Sequence, residues 1–278
     1  MKISVLDHGY VELVETWGIG KDGRDLRVEH ELGGSYAVDD CDWEVGIIEA
    51  ARQSTQGSFR GWESYDCTCR FKDRSPREWR ELAHETNCAW KVGDKHLLQF
   101  LYNHQHSTPF EFAGMVIEVQ APIFVFREWH RHRTQSYNEM SARYAPLPDL
   151  YYRPSRENVL DRGYGKTANK QAGSLNENFS AIFMDKWLEW VEDFYRQAEG
   201  MYKEALAQGI SKELARITMP VGHYSRMRAS ANLRNWLAFM TLRCDSNAQW
   251  EIRQFASAVA QLVEAKFPRT YALWKAEQ

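Results

Sequence analysis

The sequence predicts an α+β protein, a mixed or antiparallel sheet with long helices. Apolar residues recur at helical spacing from Phe179 through Ile182, Phe183, Trp187, Trp190, Phe194 and Met201 to Leu206. The stretch FAGMVIEVQAPIFVFR, residues 112–127, is rich in Val, Ile and Phe and reads as strand. The helices and strands do not alternate regularly, which argues against a doubly wound parallel sheet. No G-x-G-x-x-G follows a strand and no Walker loop is present, so a bound dinucleotide would need another device.

Residues 2–15, with Val5, Val11, Leu13 and Val14 among polar neighbours, read as a strand-like start. Residues 43–54 read as a short helix. Residues 56–78 mix Gly, Ser, Arg and Cys without a period and read as a loop or insertion. Residues 78–103 read as helical, with Leu97, Leu98, Phe100 and Leu101 on the apolar face. Pro122 predicts an edge, a bulge or a break within 112–127. Residues 145–173 hold three prolines and several tyrosines and read as irregular. Ser174-Leu-Asn-Glu177 is a capping box opening the long helix, and Gly209 ends it. A scaffold role is the preferred reading of that helix. Ser211 predicts a short helix over 212–218, ended by Pro220. Residues 229–243 and 247–267 read as two further helices, the last stopped by Pro268. Neither a repeat nor a separating linker is visible, so one domain over residues 1–278 is expected, with 56–94 as a candidate insertion.

The 278 residues carry a formal net charge of -3. That balance gives no reason to expect nucleic acid or a membrane surface as partner. Arginine is dense at 127–143 and 226–243. Local positive charge in a near-neutral chain suggests a small anionic ligand. The N-terminal stretch lacks the apolar core of a signal peptide, and no run of about 18 apolar residues exists. The five cysteines are Cys41, Cys67, Cys69, Cys88 and Cys244. Their odd count suits reduced thiols in a cytoplasmic protein. Cys67-Thr-Cys69 has the wrong spacing for a zinc knuckle, and no metal is expected.

The densest chemistry is RHRTQSYNEMSARY, residues 131–144. Arg131, Arg133 and Arg143 are permanent cations whose planar forks fit phosphate. Arg127 lies just upstream. Like charges this close repel, so an anion is expected among them. Ser136, Asn138, Glu139 and Ser141 add short, directional groups. The set suits a ligand with both a phosphate and a heterocycle.

R-H-R-x-x-S-x-N-E-x-S-x-R-Y resembles the signature of the flavin-dependent thymidylate synthases, R-H-R, seven residues, then Ser, here Ser141. The likeness extends to His106-Ser-Thr-Pro-Phe-Glu111, to Ala50-Ala-Arg-Gln-Ser-Thr55 and to Leu214-Ala-Arg-Ile-Thr-Met-Pro220. Asn232-Leu-Arg234, Leu242-Arg243 and the A-Q-W-E-I-R at 248–253 are similar to the family's C-terminal part. The likeness covers most of the chain and is weakest at 56–94 and 145–175.

The resemblance implies the family's fold and its reaction, methylation of dUMP to dTMP. The carbon would come from methylenetetrahydrofolate and the reducing equivalents from NADPH through FAD. It places Arg131, His132, Arg133, Asn232 and Arg234 at FAD, with Ser54, His106, Thr108 and Glu111 near flavin or folate. Glu139, Met140, Ser141, Ala142 and Arg143 would line the dUMP pocket, with Ser141 close to the pyrimidine and Glu139 also by the cofactor. Glu128 and Arg131 would also meet the nucleotide, and Arg216 would hold its phosphate. Arg243 would sit by the uracil and favour loss of its N3 proton, so Arg243 and Ser141 are the catalytic candidates. A homotetramer with shared active sites is implied as well. Cys244 has no identifiable base partner, so it is not read as a nucleophile.

Three positions depart from the family pattern. Ala238 stands where a polar flavin contact is common, Glu128 where many members have Gln, and Phe112 where His is common. These departures keep two rivals in view: an enzyme making another 5-substituted pyrimidine, such as a hydroxymethyl product, and a nucleotide-binding module without catalysis. A nucleic-acid binder comes last, because it would need a charge balance this chain lacks.

Overall fold

The computed structural model describes residues 1–20, 42–62, 93–163 and 180–278. Most of the 56–94 candidate insertion, the Ser174–Glu177 capping box and four of the five cysteines lie outside the described residues. The fold is α+β, as the sequence predicts. Five strands form one sheet in the order β1-β2-β3-β5-β4. They are β1 (Lys2–Val5), β2 (Gly9–Trp17), β3 (Gly114–Pro122), β4 (Ser136–Glu139) and β5 (Tyr224–Asn232). The β1–β2 and β4–β5 pairs are antiparallel, with Glu139 opposite Met227. The longest described helix is α5 (Ala181–Ala207). Around it in sequence are α1 (Val45–Arg52), α2 (Asp94–Asn103), α3 (Ile123–Trp129), α4 (Arg156–Gly163), α6 (Lys212–Ala215), α7 (Leu233–Arg243), α8 (Trp250–Lys266) and α9 (Pro268–Lys275).

Several expectations need correction. The strand-like start is a hairpin. The chain turns at Leu6, in the left-handed region at φ 58°. The Asp7 carboxylate holds that turn, accepting from the backbone N–H of His8 at 3.1 Å and of Arg153 at 2.9 Å. Pro122 is a break rather than an edge: β3 ends there and α3 begins at Ile123. Buried Val125, Phe126 and Trp129 follow helical spacing, not alternation. The irregular 145–173 contains the helix α4. The predicted helix at 229–243 is strand up to Asn232, because Arg226 and Arg228 alternate with buried Met227, Ala229 and Ala231. Beyond Pro268 the chain forms another helix, α9, with the proline in its first turn. The long helix is capped by Ser180, whose hydroxyl accepts from the Phe183 N–H at 3.1 Å. Gly209 follows its end at φ 83°, a conformation only glycine adopts without strain.

The chain divides into two compact units. The first comprises residues 1–14, 116–231 and 238–260. Its core packs Phe126, Trp129, Tyr224, Phe239 and Phe255, all shielded from water. Trp129 stacks on Phe239 with centroids 4.6 Å apart. A side chain at Gly9 would come within 2.6 Å of the Val5 carbonyl and 2.8 Å of the Phe255 ring, so the hairpin needs glycine there.

The second unit comprises residues 15–115, 232–237 and 261–278. Ile47, Ile48, Leu98, Met115, Trp236 and Phe267 form its core. Two buried carboxylates organise it. Asp94 accepts from Arg52 Nε at 3.1 Å and from the Arg60 N–H at 2.6 Å. Glu44 accepts from the Arg269 and Thr270 N–H groups at 3.1 and 2.6 Å, which caps α9 from a distant segment. Burial raises the Glu44 pKa, and those donors oppose the shift.

Candidate functional site

In the first unit, β4 ends at Glu139 and the chain turns through Met140 to Arg143. These residues line a cleft of about 520 Å³ together with Ile123, Leu147, Arg216, Met219 and Ser225. All of the segment Glu139, Met140, Ser141, Ala142 and Arg143 is there, and so is Arg216 from the short turn Arg216–Thr218 after α6. Residues 73 or more positions apart thus share one cleft. The Ser141 hydroxyl accepts from the Arg143 N–H at 3.3 Å, which tightens the turn. Arg143 lies 4.0 Å from Glu213, and Arg216 Nε donates to the Glu213 carbonyl at 3.3 Å. Both guanidiniums remain exposed to incoming anions.

A second cluster in the same unit gathers Arg243, Glu128 and His132. Arg243 ends α7 and its side chain is only 17% exposed. It donates through Nε to His132 Nε2 at 2.8 Å, through one terminal nitrogen to the Glu128 carboxylate at 3.1 Å and through the other to the Glu128 carbonyl at 2.9 Å. Three acceptors therefore fix the plane of one cation. His132 must be neutral, with its lone pair on Nε2 facing Arg243. Burial, then the neighbouring guanidinium, pushes its pKa down from 6.5 to about 4, against the opposing pull of Glu128. The His132 ring meets the Phe239 ring edge-on, centroids 4.8 Å apart. The Tyr137 hydroxyl lies 2.7 Å from the His132 carbonyl and 3.1 Å from that of Trp129, and so ties down the backbone of the motif.

That imidazole has a consequence for stability. As pH falls through 6.5 the unfolded chain takes up a proton that folded His132 refuses until about pH 4. Its contribution is therefore lost progressively across that window as pH falls. The difference in thermal midpoint between wild type and His132→Gln should narrow from pH 7 to pH 4. A constant difference would mean that His132 titrates normally.

Arg131 and Arg133 are exposed and form no ion pair among the described residues. Neither lines the cleft, and neither do Glu128 and Arg243. Burial pushes the Cys244 thiol up to about 11, so it stays protonated at neutral pH and is a poor nucleophile.

The remaining candidates stand in the second unit. Arg234, in the first turn of α7, pairs with Glu111 at 2.6 Å. Asn232 Oδ1 accepts from the Asn235 N–H at 3.0 Å and so caps α7, leaving its amide nitrogen for other partners. Thr108 and Phe112, at the ends of a short helical turn, line another cleft of about 880 Å³ with Ala50, Gln53, Trp17 and Trp43. Ser54 and His106 do not line it: the Ser54 hydroxyl donates to the Ala51 carbonyl at 3.2 Å, and the exposed His106 ring lies edge-on to Phe100. Sequence reasoning did not single out Ile123, Leu147, Met219 or Ser225 as cleft residues. For Ser225, the alternating run YSRMRASAN was the available signal.

Among the described residues there is no group of three or more His, Cys, Asp or Glu able to hold a metal ion, and no helix long and apolar enough to cross a membrane.

Residues 39–269 match the family model described as thymidylate synthase complementing protein. A flavin-dependent thymidylate synthase from Thermotoga neapolitana is 36% identical over 271 residues, covering 98% of this chain and 93% of that one. The Dictyostelium discoideum enzyme of that name is 40% identical over 177 residues, 63% of this chain but only 56% of its own length. Among solved structures, the UMP/dUMP methylase PolB from Streptomyces cacaoi bound with 5-Br dUMP superposes with a TM-score of 0.67 at 26% identity, over 99% of this chain and 97% of that one. On the extent of the family match and the full-length relative, the chain belongs to the flavin-dependent thymidylate synthase family.

Proposed function

We propose that this protein methylates dUMP to dTMP, with FAD as cofactor, methylenetetrahydrofolate as carbon donor and NADPH as reductant. The observation that carries the reading is the cleft of the first unit, where Glu139 to Arg143 meet Arg216. Two guanidiniums there suit a phosphate. Apolar Ile123, Met140, Leu147 and Met219 offer hydrophobic surface against which a base can pack. Arg243 stands in the cluster with Glu128 and His132 rather than in the cleft lining, and the family resemblance is what assigns it to the uracil. Its charge beside the ring favours the N3-deprotonated form and raises electron density at C5, so no cysteine nucleophile is needed. Ser141 orients the pyrimidine. Glu128 holds Arg243 in its plane.

The donor set fits a flavin dinucleotide. Arg131 and Arg133 carry no internal counter-charge among the described residues, which suits a diphosphate. His132, Glu139, Ser54, His106, Thr108, Glu111, Asn232 and Arg234 are the other residues that the family resemblance assigns to FAD or folate. Bound FAD supplies the reducing equivalents that convert the transferred carbon to a methyl group. The chain acts as one functional domain, and residence in the cytoplasm belongs to the same proposal. A homotetramer fits α5, whose Ile182, Phe183, Trp190, Phe194 and Met201 stay exposed.

The test is mass spectrometry of the nucleotide after anaerobic incubation with dUMP, methylenetetrahydrofolate, NADPH and FAD. A product heavier by one methylene supports thymidylate synthesis. A hydroxymethylated product keeps the site and changes the reaction. Unchanged dUMP without retained flavin sinks the enzyme reading. UMP belongs in the same assay, because the solved PolB structure is that of a UMP/dUMP methylase. Methylated UMP would widen the substrate class to ribonucleotides.

A further inference from the structure

We infer that Ser225 is a further nucleotide-positioning residue, whose hydroxyl finds its hydrogen-bond partner only when the cleft is filled. The inference rests on the reading of that cleft as the dUMP site. Ser225 lies on β5 and is 1% exposed. Strand alternation puts it on the same face as Met227, Ala229 and Ala231, all buried. It nevertheless lines the cleft beside Ser141, Arg143 and Arg216. Its Oγ is shielded from water and has no hydrogen-bond partner.

A buried hydroxyl without a partner carries its full desolvation cost. Packing does not require one here. The same face of β5 places alanine at two of its three other buried positions, and alanine at 225 would fill the strand equally well. The other hydroxyl lining the cleft differs, because Ser141 Oγ accepts from the Arg143 N–H at 3.3 Å. Arg143 and Arg216 are exposed, whereas Ser225 is buried. A ligand held by those arginines can bring an oxygen or nitrogen to Ser225, which lines the same cleft. Rotation about the Ser225 side-chain bond then lets the hydroxyl donate or accept.

The experiment is calorimetric titration of dUMP into FAD-loaded full-length protein, alongside steady-state kinetics and thermal melting without nucleotide. Ser225→Ala is expected to raise the dUMP dissociation constant and KM about 2- to 10-fold, the range for one neutral hydrogen bond. The kcat and the nucleotide-free thermal midpoint should hold or rise. Ser225→Thr keeps the hydroxyl and should bind dUMP as wild type does. Wild-type affinity in Ser225→Ala overturns the inference, as does a threonine variant that binds as weakly as alanine. A fall in the nucleotide-free midpoint of Ser225→Ala also overturns it, because the hydroxyl would then have a partner in the empty protein. If the wild type does not bind dUMP, the reading of the cleft fails and the inference falls with it.

Discussion

Arg243→Ala is expected to lower dUMP methylation by about 10²- to 10³-fold or more, while the protein folds and retains FAD. The guanidinium is the one cation in the described site whose plane is fixed by three acceptors, His132 Nε2, the Glu128 carboxylate and the Glu128 carbonyl. A cation held this way is already oriented when the substrate arrives, so little reorganisation remains for the reaction step. The Glu128 side chain is 41% exposed, so water can replace the donor lost at its carboxylate. Arg243→Lys keeps the charge but lacks the planar fork that matches the three acceptors, and should fall between alanine and wild type. Turnover and the flavin absorbance of the same preparation decide the matter. Full turnover in Arg243→Ala would remove its activating role. Joint loss of turnover and flavin would make it a flavin-site residue instead.

Trp129→Ala is expected to destabilise the protein by about 3–5 kcal/mol, the usual range for removing a large aromatic side chain from a core. Trp129 is 0% exposed. It stacks on Phe239, meets Phe255 edge-on at 6.5 Å and donates from Nε1 to Gln135 Oε1 at 3.0 Å. The Gln135 amide nitrogen is already buried without a partner, so the truncation would leave the whole amide unsatisfied. Trp129→Phe keeps much of the stacking surface and loses the hydrogen bond, and should cost less than alanine. The reading is the urea midpoint at constant m-value. An unchanged midpoint would show that the stack contributes nothing. Because Trp129 ends α3 and its carbonyl faces the Tyr137 hydroxyl, the same variant should also disturb the Arg131–Arg133 backbone and loosen flavin retention.

The sequence by itself determined the chemistry-bearing segment. Residues 139–143 line one cleft together because they are contiguous, and contiguity survives any fold. It determined the helices whose apolar period is long enough to read, α5 and α8 above all. It also narrowed Pro122 to an edge, a bulge or a break, since a missing N–H breaks a ladder wherever the strand lies, and the structure ends β3 there. Its partners in space had to come from the tertiary structure. FVFR fits strand and helix alike by composition; the closeness of Val125 and Phe126 to Trp129 on one buried face decided for helix. The four residues of β4 are too few for alternation to show, and β5 supplies the partner that makes them a strand. Helical period marked the apolar stripe of α5 but not what it meets, and that stripe faces outward among the described residues. Arg243 and His132 are 111 positions apart, and no local rule joins them. Only packing brings a cation, a neutral imidazole and a carboxylate within 3.1 Å, because side-chain chemistry is local while the dielectric and the geometry that tune it belong to the whole fold.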